Sequence, residues 1–159
     1  MSAITVRPAT LDDLPAILPM ARRFVASYGA GLTENLAQLT GLATHLITNP
    51  ACTLLVAETH HGLCGFIGLV GYAHHVSGVP TVGEVAWWVE PAARGSGLAL
   101  LDAAEQWATA YGAQHLLMIA PNERVGSLYT RRGYRAVETT YQRALVPAHV
   151  EPEPLEDAS

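Results

Sequence analysis

From Leu14 to Tyr28, apolar residues recur at Leu14, Ile17, Leu18, Ala21, Phe24, Val25 and Tyr28, the spacing of an amphipathic helix. Thr10 with Asp13 three residues on is a capping-box-like start for it. Pro15 suits a first turn, whereas Pro19 lies in the interior, where a missing donor and a ring clash predict a kink. Gly29 and Gly31 break the pattern, and a second helix is predicted from about Glu34 to Ile47, ending before Asn49-Pro50. Ile4 to Arg7 is a short strand ahead of both.

The period then changes. Cys52 to Thr59 and Leu63 to Tyr72 are β-rich runs around His60-His61-Gly62, which predicts an antiparallel hairpin. A loop with His74, His75, Gly78 and Pro80 leads into a strand from Thr81 to Val89. The next helix has polar residues at Asp102, Glu105, Gln106 and Thr109 only, as in a helix packed on a sheet, and Gly112 ends it. His115 to Ala120 is a short buried strand, Arg124 to Arg132 a helix stopped by Gly133, and Tyr134 to Val137 and Thr140 to Leu145 two closing strands. This order predicts an α/β (α+β) fold: a mixed, mostly antiparallel sheet flanked by helices on both faces, one domain over residues 1–146. Residues 147–159, with three prolines and four acids, form an acidic Pro-rich tail expected to be disordered.

Composition narrows the function. Charged residues are 14% and apolar ones 50% of the 159, so the chain is expected to fold and is suited to pairing as a homodimer. All nine basic residues are Arg, and the net charge is −5; residues 1–150, with ten acids, carry −1. No nucleic-acid partner is expected from so weak a field. The longest apolar stretch, Leu63 to Tyr72, is too short and too glycine-rich to span a membrane, and Met1-Ser2-Ala3 does not open a signal peptide, so the expected location is cytoplasmic. The two cysteines fall out of register across the hairpin, Cys64 opposite Glu58, which argues against a disulfide; no metal-ligand spacing appears.

The chemistry concentrates after the strand ending at Val89. Glu90-Pro91-Ala92-Ala93-Arg94-Gly95-Ser96-Gly97-Leu98-Ala99 is a glycine-rich strand-to-helix turn that exposes backbone N–H groups at the positive end of a helix dipole, a setting for pyrophosphate. Taken alone, the glycines could equally serve turn geometry. With its flanks, however, the segment resembles the Arg-x-x-Gly-x-Gly/Ala acyl-coenzyme A loop of the GNAT superfamily of N-acyltransferases. Asn122, seven residues before Tyr129 and eleven before Gly133-Tyr134, is similar to a second segment of that family, and residues 4–17 resemble its usual opening. The resemblance covers about residues 4 to 145; Ala99 stands at the final loop position, which the family pattern allows.

The resemblance implies an acetyl-CoA-dependent N-acetyltransferase, with acetyl-CoA as co-substrate, acting on the primary amine of a small molecule or peptide in a ternary complex. It implies that Arg94, Gly95, Ser96, Gly97, Leu98 and Ala99 hold the pyrophosphate, that the backbone of Trp88 and Val89 pairs with the pantetheine arm near the thioester, and that Asn122 contacts cofactor or acceptor, although Asn122 also suits a helix cap. Tyr129 occupies the position of the acid that protonates the leaving thiolate; its ring could instead simply pack under the helix. Strand alternation places Glu84 on one face with Ala86 and Trp88. It is the candidate base, with a solvent-facing strand acid as the other reading, and His74 and His75 are in reserve. A rival from another class is a catalytically silent acyl-CoA-binding regulatory or interaction protein.

Overall fold

The computed structural model describes residues 3–28, 31–93 and 95–146. The chain divides into two compact units, Met1–Pro121 and Asn122–Ser159.

The first unit is built on a five-stranded sheet in the order β1 (Thr5–Pro8), β2 (Cys52–Thr59), β3 (Gly62–Ala73), β4 (Pro80–Val89), β5 (His115–Leu117). Neighbours are antiparallel except β4 and β5, which run parallel because the crossover helix α3 (Ser96–Tyr111) joins them. Thr10 and Asp13 form the expected capping box, though around a single 3-10 turn, Leu11–Asp13, that leads into α1 (Leu14–Ser27). Helical structure continues through Pro19. Asn35 caps α2 (Leu36–Thr48) by accepting the Gln38 N–H at 3.0 Å.

Each sheet face carries its own core. Ile17 and Met20 of α1 and Ala43 and Leu46 of α2 pack with Leu54, Val56 and Phe66 on one face. Leu100, Ala104 and Ala108 of α3, one helical turn apart, pack with Leu55, Ala57, Ile67, Leu69 and Val82 on the other. Burying a leucine as completely as Leu100 is worth ~2 kcal/mol. The polar stripe from Asp102 to Thr109 lies on the outer side of α3, as its spacing predicts.

Two register shifts change which residues share a face. In β3 the pairing steps from Glu58↔Leu63 to Ala57↔Gly65, so Cys64 is an extra, bulged residue and not the partner of Glu58. Cys52 pairs with Val70, far along the hairpin, and both cysteines are free. In β4 the pairing steps from Leu69↔Glu84 to Gly68↔Ala86, which makes Val85 the bulge. Val85 and Ala86 consequently pack on the same core, with Trp88, while Trp87 and Val89 turn to the α3 side.

In the second unit Asn122 caps α4 (Glu123–Arg131) by accepting the Val125 N–H at 3.1 Å, and Gly133, at φ +88°, ends the turn after it. The two closing strands expected from Tyr134 to Leu145 do not form. That run has no regular secondary structure, and Val137, Tyr141 and Leu145 are exposed, so it gains no apolar burial to offset the entropy of ordering a strand. The tail expected at residues 147–159 and the break expected at Gly29 lie outside the described residues. Among the described residues, no helix is long and apolar enough to cross a membrane.

Candidate active site

The parallel ladder between β4 and β5 is short. Its last pair is Gly83↔Leu117, while β4 continues to Val89 with β3 alone beside it. The two strands therefore part at Glu84, and beyond that fork the outer edge of β4 has no strand partner among the described residues.

Glu84 sits at the crotch of the fork. Its Oε2 accepts the backbone N–H of Ile119 at 3.0 Å, two residues past the end of β5, so a side chain takes over where the ladder stops. The β4 bulge also changes its face. Cross-strand pairing sets Glu84 beside Leu69 on the α3 side, away from Ala86 and Trp88, with which alternation had grouped it.

Backbone direction along the rest of β4 follows from one bond. Glu90 donates its N–H to the Cys64 carbonyl at 2.8 Å, so two residues back Trp88 also turns its N–H and C=O toward β3. The Trp88 oxygen indeed lies 2.9 Å from where a Gly65 Cβ would stand. Trp87 and Val89 turn theirs to the open edge. Of the two expected donors, Val89 faces the fork and Trp88 does not. The Trp88 indole Nε1 is buried without a hydrogen-bond partner.

Past Val89 the chain tightens into a turn, with Ala93 N–H donating to Glu90 O at 2.9 Å and Ser96 N–H to Ala93 O at 3.3 Å. Gly95, at φ +87°, occupies the left-handed region that a Cβ disfavours and caps α3. Ala99 N–H is already used by Gly95 O at 3.2 Å. Among the described residues, the N–H groups without a backbone acceptor at the start of α3 are those of Gly97 and Leu98, at the positive end of a 16-residue helix. A Cβ on Gly97 would meet Trp87 and Val89 at 3.6 Å, ordinary contact, so the open side of the turn lies against the unpaired end of β4. Arg94 lies outside the described residues. The Ser96 side chain faces inward, fully buried, with its hydroxyl 3.3 Å from the Cys64 thiol. Sequence reasoning missed that contact, as it missed the ion pair between Arg23 of α1 and Glu90. The only signal for either was an acid or a hydroxyl next to a glycine turn.

His74 and His75 lie at the opposite end of β4 from this turn. His74 Nδ1 is 3.2 Å from Ser77 Oγ within a tight turn, and the His75 ring stacks on Tyr72 at 5.6 Å. Glu84 is four residues into β4 from Pro80, ~13 Å along the strand. In the second unit, Tyr129 is buried on α4, its ring 5.2 Å from that of Tyr134, whose N–H donates to the Tyr129 carbonyl at 3.0 Å. Asn122 caps α4.

Taken as a binding surface, the fork and turn offer strand-edge groups at Val89, a cluster of helix N-terminal N–H donors and a left-handed glycine. These suit a ligand with an amide-bearing arm leading to a diphosphate.

The sequence profile of the acetyltransferase (GNAT) family matches residues 21–134. Among solved structures, an aminoglycoside N-acetyltransferase in complex with CoA is similar at TM-score 0.74 and 16% identity over 92% of this chain and 97% of its own. A predicted acetyltransferase with acetyl-CoA from Clostridium acetobutylicum has TM-score 0.73 and 15% identity over 93% and 100%. A ribosomal-protein-alanine N-acetyltransferase from Brucella melitensis biovar Abortus 2308 has TM-score 0.70 and 20% identity over 89% and 99%. No curated protein matches the chain significantly.

Proposed function

Since the chain belongs to the acetyltransferase (GNAT) family, we propose that it transfers the acetyl group of acetyl-CoA to a primary amine by direct attack within a ternary complex. Bound acetyl-CoA supplies the activated thioester. The observation that carries the reading is the Gly95 turn at the start of α3, set against the unpaired end of β4. Gly97 and Leu98 hold the diphosphate by their N–H groups, Arg94 adds charge, and Val89 pairs with the pantetheine arm from the strand edge. Two of the similar structures are named as N-acetyltransferases, which supports nitrogen as the acceptor atom here.

Glu84 takes a proton from the acceptor's ammonium, directly or through water, so that the neutral amine attacks the thioester carbonyl, and Tyr129 gives a proton to the departing thiolate. A phenol of pKa ~10 can protonate a thiolate whose acid is near ~8.5 only when held in place, which the packing of Tyr129 on α4 favours. Thiol release from acetyl-CoA across a panel of small amines and peptide N-termini tests the assignment. Turnover with at least one acceptor is expected, with Tyr129→Phe lowering kcat about 10- to 100-fold and leaving the Kd for acetyl-CoA within twofold. Equal losses in kcat and binding contradict the acid role, and acetyl-CoA binding without any turnover favours the silent, acyl-CoA-binding reading.

A further inference from the structure

The connection that forms the phosphate turn begins and ends on one residue. At its start, Glu90 donates its N–H to the Cys64 carbonyl at 2.8 Å. At its end, the fully buried Ser96 hydroxyl lies 3.3 Å from the Cys64 Sγ, and that thiol donates in turn to the Ala57 carbonyl at 3.4 Å. With the thiol hydrogen directed to Ala57, sulfur is left to accept from the Ser96 hydroxyl; either atom of that pair can donate. The relay ties the first residue of α3 to the backbone of β2. It exists because Cys64 is the bulged residue of β3: a bulge re-aims a side chain, and here Cys64 shares the α3 side with the following residue, Gly65.

We propose that Cys64 is a positioning residue for coenzyme A, holding the phosphate turn through Ser96. This rests on the function proposed above and goes beyond it, because Cys64 is buried behind the turn and acts through Ser96. Removing the thiol leaves the Ser96 hydroxyl buried without a partner at the first residue of the helix whose N–H groups bind the diphosphate. To regain a partner the hydroxyl has to turn toward a carbonyl of the same connection or the turn has to shift. Removing the hydroxyl costs less, since the thiol keeps its bond to Ala57.

Coenzyme A itself is the probe, so no acceptor is needed. Its Kd is measured by calorimetry for the parent, Cys64→Ala, Ser96→Ala and the double variant. Cys64→Ala is expected to raise Kd about three- to tenfold, and adding Ser96→Ala to bring it back to within about twofold of the Ser96→Ala single variant. Amide exchange at Ser96 and Ala99, whose N–H groups are bonded within the turn, should quicken in Cys64→Ala while that of Ile67 and Val82 in the sheet stays unchanged, which a general loss of stability does not produce. Should Cys64→Ala not fold, Cys64→Ser, which keeps a donor and an acceptor at the bulge, is expected to fold and to bind within about threefold of the parent, and Cys64→Val, which fills the space without a hydrogen-bonding atom, to bind more weakly than Cys64→Ser. Equal Kd values across the folded variants, or strictly additive losses in the double variant, overturn the proposal while the cofactor site stands. No binding by the parent overturns the proposed function and this inference together.

Discussion

Arg7 is the clearest case of a single side chain fastening several parts of the fold. Its guanidinium donates to both oxygens of Asp13, at 2.8 and 2.9 Å, and to Glu58 at 3.1 Å, so β1, β2 and the entry to α1 meet on one group. The hydrogen bonds from Arg7 outweigh burial and pull the Asp13 carboxyl from its ordinary 3.8 down to about 2. A depressed carboxylate adds stability that is present above its unfolded value and lost as pH falls through the folded one. Asp13→Asn is therefore expected to cost about 1 kcal/mol at pH 7, after allowance for solvent screening, and nearly nothing at pH 2, read from thermal melts across that range. A constant difference at all pH values contradicts the assignment. Glycine positions differ as sharply. A Cβ at Gly65 meets the Trp88 carbonyl oxygen at 2.9 Å and Leu100 at 3.2 Å, whereas one at Gly97 finds only ordinary contacts. Urea unfolding should show Gly65→Ala destabilised by ~1–3 kcal/mol and Gly97→Ala within ~0.5 kcal/mol of the parent.

Among the elements, the strands with bulges hold most of what the sequence concealed. Helices and strands before residue 121 were legible because period and caps agree: Thr10 with Asp13, Asn49-Pro50 after α2, Gly112 after α3. Alternation fails at Cys64 and Val85, each of which adds one residue and reverses the parity of everything between it and the next turn. A pattern of apolar residues carries no mark of that, since both faces of this sheet are buried and either parity reads as apolar. The face of Glu84 and the contact of Cys64 with Ser96 were hidden for this reason, whereas the glycine turn, a local feature, was visible. Tyr134 to Leu145 failed in the other direction: the residues have strand propensity, but propensity without a ladder or a buried face does not make a strand. Glu84 holds the fork and is the proposed base, and these two roles separate by substitution. Glu84→Gln keeps an oxygen to accept the Ile119 N–H, so the melting temperature should stay within ~2 °C of the parent while kcat falls at least ~10-fold. Glu84→Ala should lose both. A glutamine variant with full kcat assigns Glu84 to holding the fork alone.

For the whole molecule, net charge and function pull apart. The chain carries −5, yet the proposed co-substrate is itself strongly anionic, so attraction cannot come from a broad positive field. Binding has to be local, through oriented N–H groups and the dipole of α3, together with Arg94. That places the weight of the account on one short turn and makes it directly testable. The melting temperature is measured with and without acetyl-CoA, for the parent and for Gly97→Glu, which sets a carboxylate among the diphosphate donors at a position where a Cβ is tolerated. At a hundredfold excess over Kd, binding adds ~2.7 kcal/mol, a rise on the order of 5 to 10 °C for a chain of this size. That rise is expected in the parent and not in Gly97→Glu, with equal melting temperatures when no ligand is added. An unshifted parent, or an equal shift in both, contradicts binding at this turn.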